Sequence, residues 1–342
     1  MENRTLSKLH ELTQRILQED DAPGYLKGHI EELQALLTEL TGISPFETLS
    51  NKQNTDLSSG VAISPGMAAF CSIDIKRTQV FLRGVLAGLQ HQLSVVEERP
   101  LQVVYAGTGP YALLVLPLLS FFESHQLKIT FLDIHQTSLD SVKNLVNTLG
   151  YQNFVQDIVQ ADAATWQWDT KLPLHACISE TMQVTLKREP QVAITLNMVP
   201  QLAPAGIMIP EQIEVEAVLV NMPMFRMQSA CNKEGDEENA VAHPLGLVAQ
   251  LNKQTALQSK GNAFHVLHGL RTTLLPEWQT PEYTLQLQTR IQTWGQHQLK
   301  DNDSGLTLPY ELASGHELAG GKNLHLYYAN YPDAFVRMSV SD

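Results

Sequence analysis

Apolar residues in the first sixty positions recur at the spacing of a helix face. Leu6, Leu9, Leu12 and Ile16 keep one stripe, and Ile30, Leu33, Leu36, Leu37 and Leu40 keep a second, which Gly42 is placed to stop. The polar, turn-rich stretch ETLSNKQNTDLSSG, residues 47–60, reads as a linker. Met67 to Leu93 then reads as one long helix or a pair of helices. From Leu101 the pattern changes. LQVVYAG is a short apolar strand ending in glycine, followed by an apolar run of helical character. LKITFLDIH is a second strand with an acidic end, and Ser138 to Leu149 is an amphipathic helix closed by Gly150. FVQDIVQAD and LHACISE are a third and a fourth strand. Strands alternating with helices at this pitch predict an α/β fold with a Rossmann-like, doubly wound parallel sheet.

After Pro210 the period switches to two. Ile213, Val215, Ala217 and Leu219 alternate with Glu214, Glu216 and Val218. Tyr283, Leu285, Leu287, Thr289 and Ile291 alternate with Thr284, Gln286, Gln288 and Arg290, and LHLYYAN and FVRMSV continue the style. This half predicts an antiparallel β domain, interrupted by the acidic, loop-like insertion NKEGDEENA. The chain thus divides into a helical region (1–60), a nucleotide-binding sheet (61–210) and a β-rich part (211–342).

Charge narrows the partners. The 342 residues carry 36 acidic and 23 basic side chains, a formal net charge of −13. Sequence-independent nucleic-acid binding needs clustered cations, so that class is disfavoured, whereas small molecules, cationic peptides and guanidinium groups stay open. Cys71, Cys177 and Cys231 form no CxxC and no zinc-like cluster, and read as buried free thiols of a reducing compartment. The amino-terminal segment is charged throughout, with no apolar core of a signal peptide. The longest apolar run, Ala112–Phe122, is interrupted by Pro117 and falls well short of the roughly 20 residues that span a bilayer. A cytoplasmic protein with no membrane segment and no bound metal is expected.

Candidate chemistry begins at the tip of the first strand, in Tyr105-Ala-Gly107-Thr-Gly109-Pro-Tyr. Two glycines spaced by one let the backbone approach a ligand closely, and a following helix would favour negative groups. Asp133 ends the next strand, 24 residues after Gly109, where an acid accepts hydrogen bonds from ribose hydroxyls. Asp162, after the third strand, is placed to hold the exocyclic amine of an adenine. The conjunction points to an adenosine ligand. Ala112 stands where a dinucleotide fingerprint has its third glycine, and no GxxxxGK[ST] loop occurs, so dinucleotide and phosphate-cradling functions are disfavoured. The arrangement resembles the S-adenosylmethionine-dependent methyltransferases, with Tyr105 standing where that family commonly has an acid.

The fourth strand ends in Ser179-Glu180-Thr-Met182-Gln-Val-Thr-Leu186-Lys-Arg-Glu189. Two carboxylates at such a tip, if the segment loops back, clamp one cation, and a planar guanidinium with five donors is well matched to them. They must be ionised to do so, and a carboxylate can then take up a departing proton. S-E-x-M-x3-L-x2-E followed by LAPAGIMIP resembles the double-glutamate loop of the protein arginine methyltransferases, and Asp74-Ile-Lys-Arg77-Thr78-Gln-Val-Phe81 resembles that family's helix before the sheet. The resemblance implies that Arg77 pairs with the cofactor carboxylate and Asp133 binds its ribose. It implies that Tyr105, Gly107, Gly109 and Asp162 complete the cofactor site, and that Glu180, Met182 and Glu189 bind substrate. Glu180 and Glu189 are then the catalytic pair. It also implies a β-barrel-like C-terminal domain and a homodimer.

Departures from that family are equally specific. Gln183 replaces a glycine, Thr181 replaces an aromatic residue, the tyrosine-rich amino-terminal helix is missing, and no Thr-His-Trp triplet occurs. These imply a divergent member with a different pocket, for which free arginine or a small arginine-like metabolite is at least as good a substrate as an arginine-containing peptide. Transfer to another small-molecule amine, hydroxyl or carbon, and a non-catalytic adenosine-binding scaffold, are the alternatives. His265 and His268 stand at i, i+3 with no HExxH pattern, and Ser179 lacks a GxSxG elbow, so neither a metal site nor a hydrolase is expected.

Overall fold

The two amino-terminal stripes are buried as helices α1 (Glu2–Gln18) and α2 (Pro23–Thr41): Leu9, Leu12 and Ile16 on the first, and Ile30, Leu33, Leu36 and Leu37 on the second, all face the interior. The second helix ends where Gly42 takes a φ of +69° and its N–H returns to the Thr38 carbonyl. The computed structural model describes residues 2–18, 23–46, 54–168, 171–222, 242–259, 271–274, 283–314, 317–318, 323–329 and 335–341. The NKEGDEENA insertion, Cys231, His265, His268 and residues 47–53 of the expected linker lie outside them.

The rest of that linker is structured. Thr55–Leu57 (β1) and Gly60–Ala62 (β2) pair antiparallel as a small hairpin. Its strands are three residues each, too short to show a period in the sequence. Downstream, the long helical stretch is a pair. Ser64 caps α3 (Pro65–Phe70) by accepting the Met67 N–H, a short 3-10 turn follows, and Asp74 restarts the chain as α4 (Ile75–Val95) by accepting the Arg77 N–H at 3.1 Å.

Five parallel strands form the central sheet: β3 (Leu101–Ala106), β4 (Leu127–Asp133), β5 (Val155–Gln160), β6 (Leu174–Ser179) and β7 (Leu202–Ile209), in the order β5-β4-β3-β6-β7. β3 and β6 are buried at every position, the signature of central strands covered on both faces. Helix α5 (Gln136–Leu149), capped by Gly150 at φ +71°, shares one core with α1, α2 and α4. Helix α6 (Gln191–Met198) packs on the opposite face with Val104, Leu132 and Cys177. One expectation fails here. The apolar run after β3 is not an α-helix but turns followed by a 3-10 segment, Leu116–Phe121. Pro117 removes an amide that a helix would need in its interior, and Ala112 sits at φ +45°. The run is apolar because it is buried on all sides, not because it has a helical face.

The period-two half forms two antiparallel sheets. β8 (Gln212–Asn221) pairs with β9 (Ala242–Asn252) and with β11 (Tyr283–Trp294), which also takes β12 (His297–Leu299) and β13 (Tyr310–Ser314). β10 (Arg271–Leu274), β14 (Asn323–Ala329) and β15 (Phe335–Ser341) form the second. Ile213, Val215, Ala217 and Leu219 and, across the register, Leu285, Leu287 and Ile291 are buried as the alternation predicts, in one core with Leu324, Leu326 and Tyr328.

Helix α4 joins the two halves. A Cβ at Gly84 would lie 2.1 Å from Thr293 Oγ1 and 2.5 Å from its Cβ, so only glycine lets the helix cross β11 here. Thr293 is itself fixed by donating to the Val80 and His297 carbonyls. Gly84→Ala is therefore expected to lower stability by about 1–3 kcal/mol through overpacking, despite its better helix propensity. Urea unfolding at constant m-value measures it.

Candidate functional site

The glycine turn, the double-glutamate segment and the start of α4 converge on one cavity at the carboxyl ends of the sheet strands. Arg77 and Tyr105 line it, with Glu180 and Glu189 beside them; Gly107, Gly109, Asp133 and Asp162 line it further along. Met182 does not reach it. Its side chain is 3% exposed and packs in the main apolar core, so its role is packing rather than substrate contact, because the loop turns that position inward.

The glycine turn is built to be narrow. Gly107 and Gly109 have φ of +74° and +57°, and a Cβ at Gly107 would meet Thr181 Cγ2 at 2.3 Å. The turn thus presses against the double-glutamate segment, and the two parts share one cavity. Its amides face inward. Gly107 N–H and Thr108 N–H donate to the Leu132 carbonyl at 2.8 and 3.3 Å, and Gly109 N–H donates to Asp133 Oδ2 at 2.9 Å. They do not form a phosphate cradle, nor does an α-helix amino terminus stand behind them.

Asp133 consequently has work within the fold. Its Oδ2 also accepts from Thr108 Oγ1 at 3.3 Å, and its Oδ1 accepts the His135 N–H at 2.8 Å. Asp162 makes a local turn by accepting the Ala164 N–H at 2.8 Å, and accepts weakly from Ser59 Oγ at 3.5 Å. Ser59 belongs to the β1–β2 hairpin, which lies along the cavity and supplies Leu57 and Ala62 to its lining. Gly60 holds the hairpin's other side: its φ is +139°, a Cβ there would sit 2.4 Å from the Arg188 carbonyl oxygen, and the Val61 N–H donates to that oxygen at 2.8 Å. Nothing in the polar sequence of residues 54–60 signals this contact except the glycine.

The double-glutamate segment does loop back. Its neck is closed by Gln191, whose Oε1 accepts the Thr181 N–H at 2.9 Å while its own N–H donates to the Thr181 carbonyl at 3.1 Å. Within it Thr185, Leu186 and Arg188 have φ of +60°, +57° and +65°. Such conformations cost on the order of 1–3 kcal/mol each and persist only where surroundings impose them. The Thr185 N–H donates to Thr289 Oγ1 on β11 at 3.1 Å, and the Tyr328 hydroxyl donates to the Leu186 carbonyl.

Glu180 and Glu189 are both buried, and their environments differ. Glu180 Oε2 accepts from the Arg77 guanidinium, a pair whose side chains are only 8% and 13% exposed. Its other oxygen, Oε1, is buried with no hydrogen-bond partner. Burial pushes the Glu180 carboxyl above its usual range, opposed by Arg77. Burial works against the charge of Arg77 too, but Glu180, Cys71 and Asp74 together more than offset it and hold its pKa above the usual value. Glu189 has no such cation of its own: burial first, and the neighbouring Glu180 second, push it up to about 7. Near neutral pH the ligand-free Glu189 is therefore only partly ionised, and an entering cation would favour its charged form. Arg77, expected opposite a cofactor carboxylate, faces Glu180 instead, with Asp74 binding both the start of its helix and the Gly305 N–H at 2.8 Å.

Two cysteine placements differ from each other. Cys177 is buried in β6, and burial pushes its thiol up to about 12. Cys71 is only partly buried and lines the cavity, contrary to the expectation of a core thiol, because the break between α3 and α4 turns it toward Arg77. Among the described residues no cluster of His, Cys, Asp or Glu is arranged to hold a metal ion, and no helix is long and apolar enough to cross a membrane.

No family model matches the sequence, and no curated protein sequence matches it. Among solved structures it is similar to Trypanosoma brucei PRMT1 in its enzyme–prozyme heterotetrameric complex with AdoHcy, at 13% identity and a TM-score of 0.50, over 81% of this chain and 98% of that one. The chain shares that fold. A structure of PRMT6 with SAH is similar at 10% identity and a TM-score of 0.49, over 76% of this chain and 96% of that one. The shared architecture is the parallel sheet with antiparallel sheets following it, as the alternation of periods predicted.

Proposed function

We propose that this protein is an S-adenosylmethionine-dependent N-methyltransferase acting on a guanidino group, with free arginine or a small arginine-like metabolite as acceptor. The observation that carries this reading is the pair Glu180 and Glu189 in the lining of the cavity that also holds the glycine turn, with Glu180 Oε1 buried and short of a close hydrogen-bond donor. An orphaned buried acceptor leaves a desolvation cost that an N–H donor from a ligand would relieve.

The residues fit the cofactor. The inward-turned amides of residues 107–109 suit a neutral or zwitterionic group rather than a pyrophosphate. Asp133 would take ribose hydroxyls in place of its longer contact to Thr108, and Asp162 would meet the adenine. Bound S-adenosylmethionine supplies an electrophilic methyl group. Arg77 would turn to its carboxylate, and Glu180, so released, would accept from the guanidinium. One ion pair is exchanged for two, Arg77 with the cofactor carboxylate and Glu180 with the guanidinium. Glu180 and Glu189 hold the acceptor nitrogen in line with the methyl, which is mainly a matter of position and of preorganised charge. Glu189, pushed up to about 7, is suited to take up the proton that the nitrogen sheds. The hairpin along the cavity favours a compact acceptor over a protein tail. The PRMT1 neighbour was solved as a heterotetramer, and a homodimer of this chain belongs to the same reading.

Incubation with methyl-labelled S-adenosylmethionine and a panel of arginine, agmatine and an arginine-rich peptide, read by mass spectrometry, tests the acceptor. Label is expected on arginine or agmatine. Label only on a non-guanidino compound would remove the acceptor assignment and leave the cofactor. Failure to bind both S-adenosylmethionine and S-adenosylhomocysteine in calorimetry would remove both.

A further inference from the structure

Lys187 stands two residues before Glu189 and points away from the cavity. Its ammonium lies 4.7 Å from the ring centre of Tyr310 and 4.6 Å from that of Phe335, and donates to Tyr310 Oη at 2.8 Å. The two rings meet edge to face, 5.3 Å apart at 82°, so they form a corner that the ammonium fills. Tyr310 opens β13 and Phe335 opens β15, one from each antiparallel sheet. At its other end Lys187 is equally fixed: its carbonyl accepts the Glu189 N–H at 2.8 Å, closing a three-residue turn around Arg188 at φ +65°. One residue therefore connects both β sheets, by its side chain, to the backbone of a catalytic carboxylate, by its carbonyl.

We infer that Lys187 is a positioning residue: its cation, held between Tyr310 and Phe335, anchors the turn that carries Glu189 and thereby sets the geometry in which the guanidinium is bound. The inference rests on the guanidino reading of the site but not on the identity of the acceptor. Turns of positive φ relax toward ordinary conformations when their restraints go. The neck at Gln191 and the β11 contact restrain other parts of the loop. The Arg188–Glu189 peptide itself is held at both ends, its carbonyl by the Val61 N–H and its N–H by the Lys187 carbonyl, and of these two links only the Lys187 one leads to the β sheets. A cation between aromatic faces suits this because the attraction depends on charge and ring rather than on one hydrogen-bond angle, and arginine can substitute for lysine in it.

The test uses the full chain with Lys187→Met, which keeps the stem and removes the charge, and Lys187→Arg, which keeps the charge. Amide hydrogen exchange over residues 184–190, S-adenosylhomocysteine affinity by calorimetry, and separate kcat and KM for the guanidino acceptor are measured on each. In Lys187→Met, exchange should quicken in that segment alone. Its kcat/KM should fall about 10–100-fold, the range expected when a group is misplaced by about 1 Å, with cofactor affinity unchanged. Lys187→Arg should restore most of the loss. Wild-type exchange in Lys187→Met overturns the inference, and so does an equal loss of cofactor affinity, which would mean general loosening. If the wild-type protein methylates no guanidino compound, the functional reading fails on its own. Faster exchange confined to 184–190 then still upholds the anchor, and unchanged exchange overturns it.

Discussion

Glu180→Gln is expected to lower methyl transfer to a guanidino acceptor by about 10³-fold, as loss of a preorganised charge in a buried site does, and to destabilise the fold. Both effects have one origin. Glu180 is the partner of Arg77, and the two side chains are 8% and 13% exposed. An amide leaves the guanidinium buried without its counter-charge, and breaking such pairs from one side costs about 3–5 kcal/mol. Cofactor affinity should not fall with activity, because Arg77 is set free for the cofactor carboxylate. Calorimetry with S-adenosylhomocysteine, alongside urea unfolding, separates the effects. A Glu180→Gln protein as stable as wild type would show that Arg77 has another anion to turn to.

Glu189→Gln should lose activity as well, yet move stability in the opposite direction. In the native protein its carboxyl holds its proton up to about 7, against an ordinary value of 4.5. Between those two values the folded state binds more protons than the unfolded chain, so Glu189 makes stability fall as pH rises through that window, and the penalty is complete above about 7. At about 1.4 kcal/mol per pH unit the whole penalty comes to about 3.5 kcal/mol, and Glu189→Gln should recover much of it at pH 8 and none at pH 4. Unfolding of both proteins at the two pH values measures this. The same titration should show in catalysis. Wild-type kcat/KM for the acceptor should rise with pH to a plateau above about 7, where Glu189 is ionised in the free protein. A flat profile, or equal stabilities at pH 8, would place Glu189 outside the acceptor site. Two carboxylates in one loop, found to be both needed for transfer and opposite in their effect on folding, would distinguish a built cation site from a pair of surface acids.

Much of this arrangement was legible in the sequence. β3, β4 and β6 read as strands because they are buried on both faces, and β8 and β11 because one face is. The glycine turn, Asp133 and the two glutamates were placed correctly at strand tips, and the structure brings them to one cavity. What was missed depends on contacts between segments far apart in the chain. Arg77 and Glu180 are 103 residues apart, and no periodicity connects them. The β1–β2 hairpin has its reason in the Arg188 carbonyl, not in its own composition. In the run after Gly109, apolar residues buried on every side imitate a helix in the sequence, while Pro117 breaks one. Met182 was assigned by position in a motif, and only packing shows which way it points.

The inward-facing amides of the glycine turn bear on how such a protein would live among abundant ATP and nicotinamide nucleotides. Adenine and ribose are common to all of these, so neither Asp133 nor Asp162 can tell them from S-adenosylmethionine. Discrimination has to come from the group carried on the 5′ carbon. A polyphosphate brought there would find the three backbone donors already committed to Leu132 and Asp133, and the buried carboxylates Glu180 and Glu189 close by. It would surrender its hydration and meet negative charge in return. On the proposed reading, the turn that would admit one adenosine compound would also screen the site from background inhibition by the others.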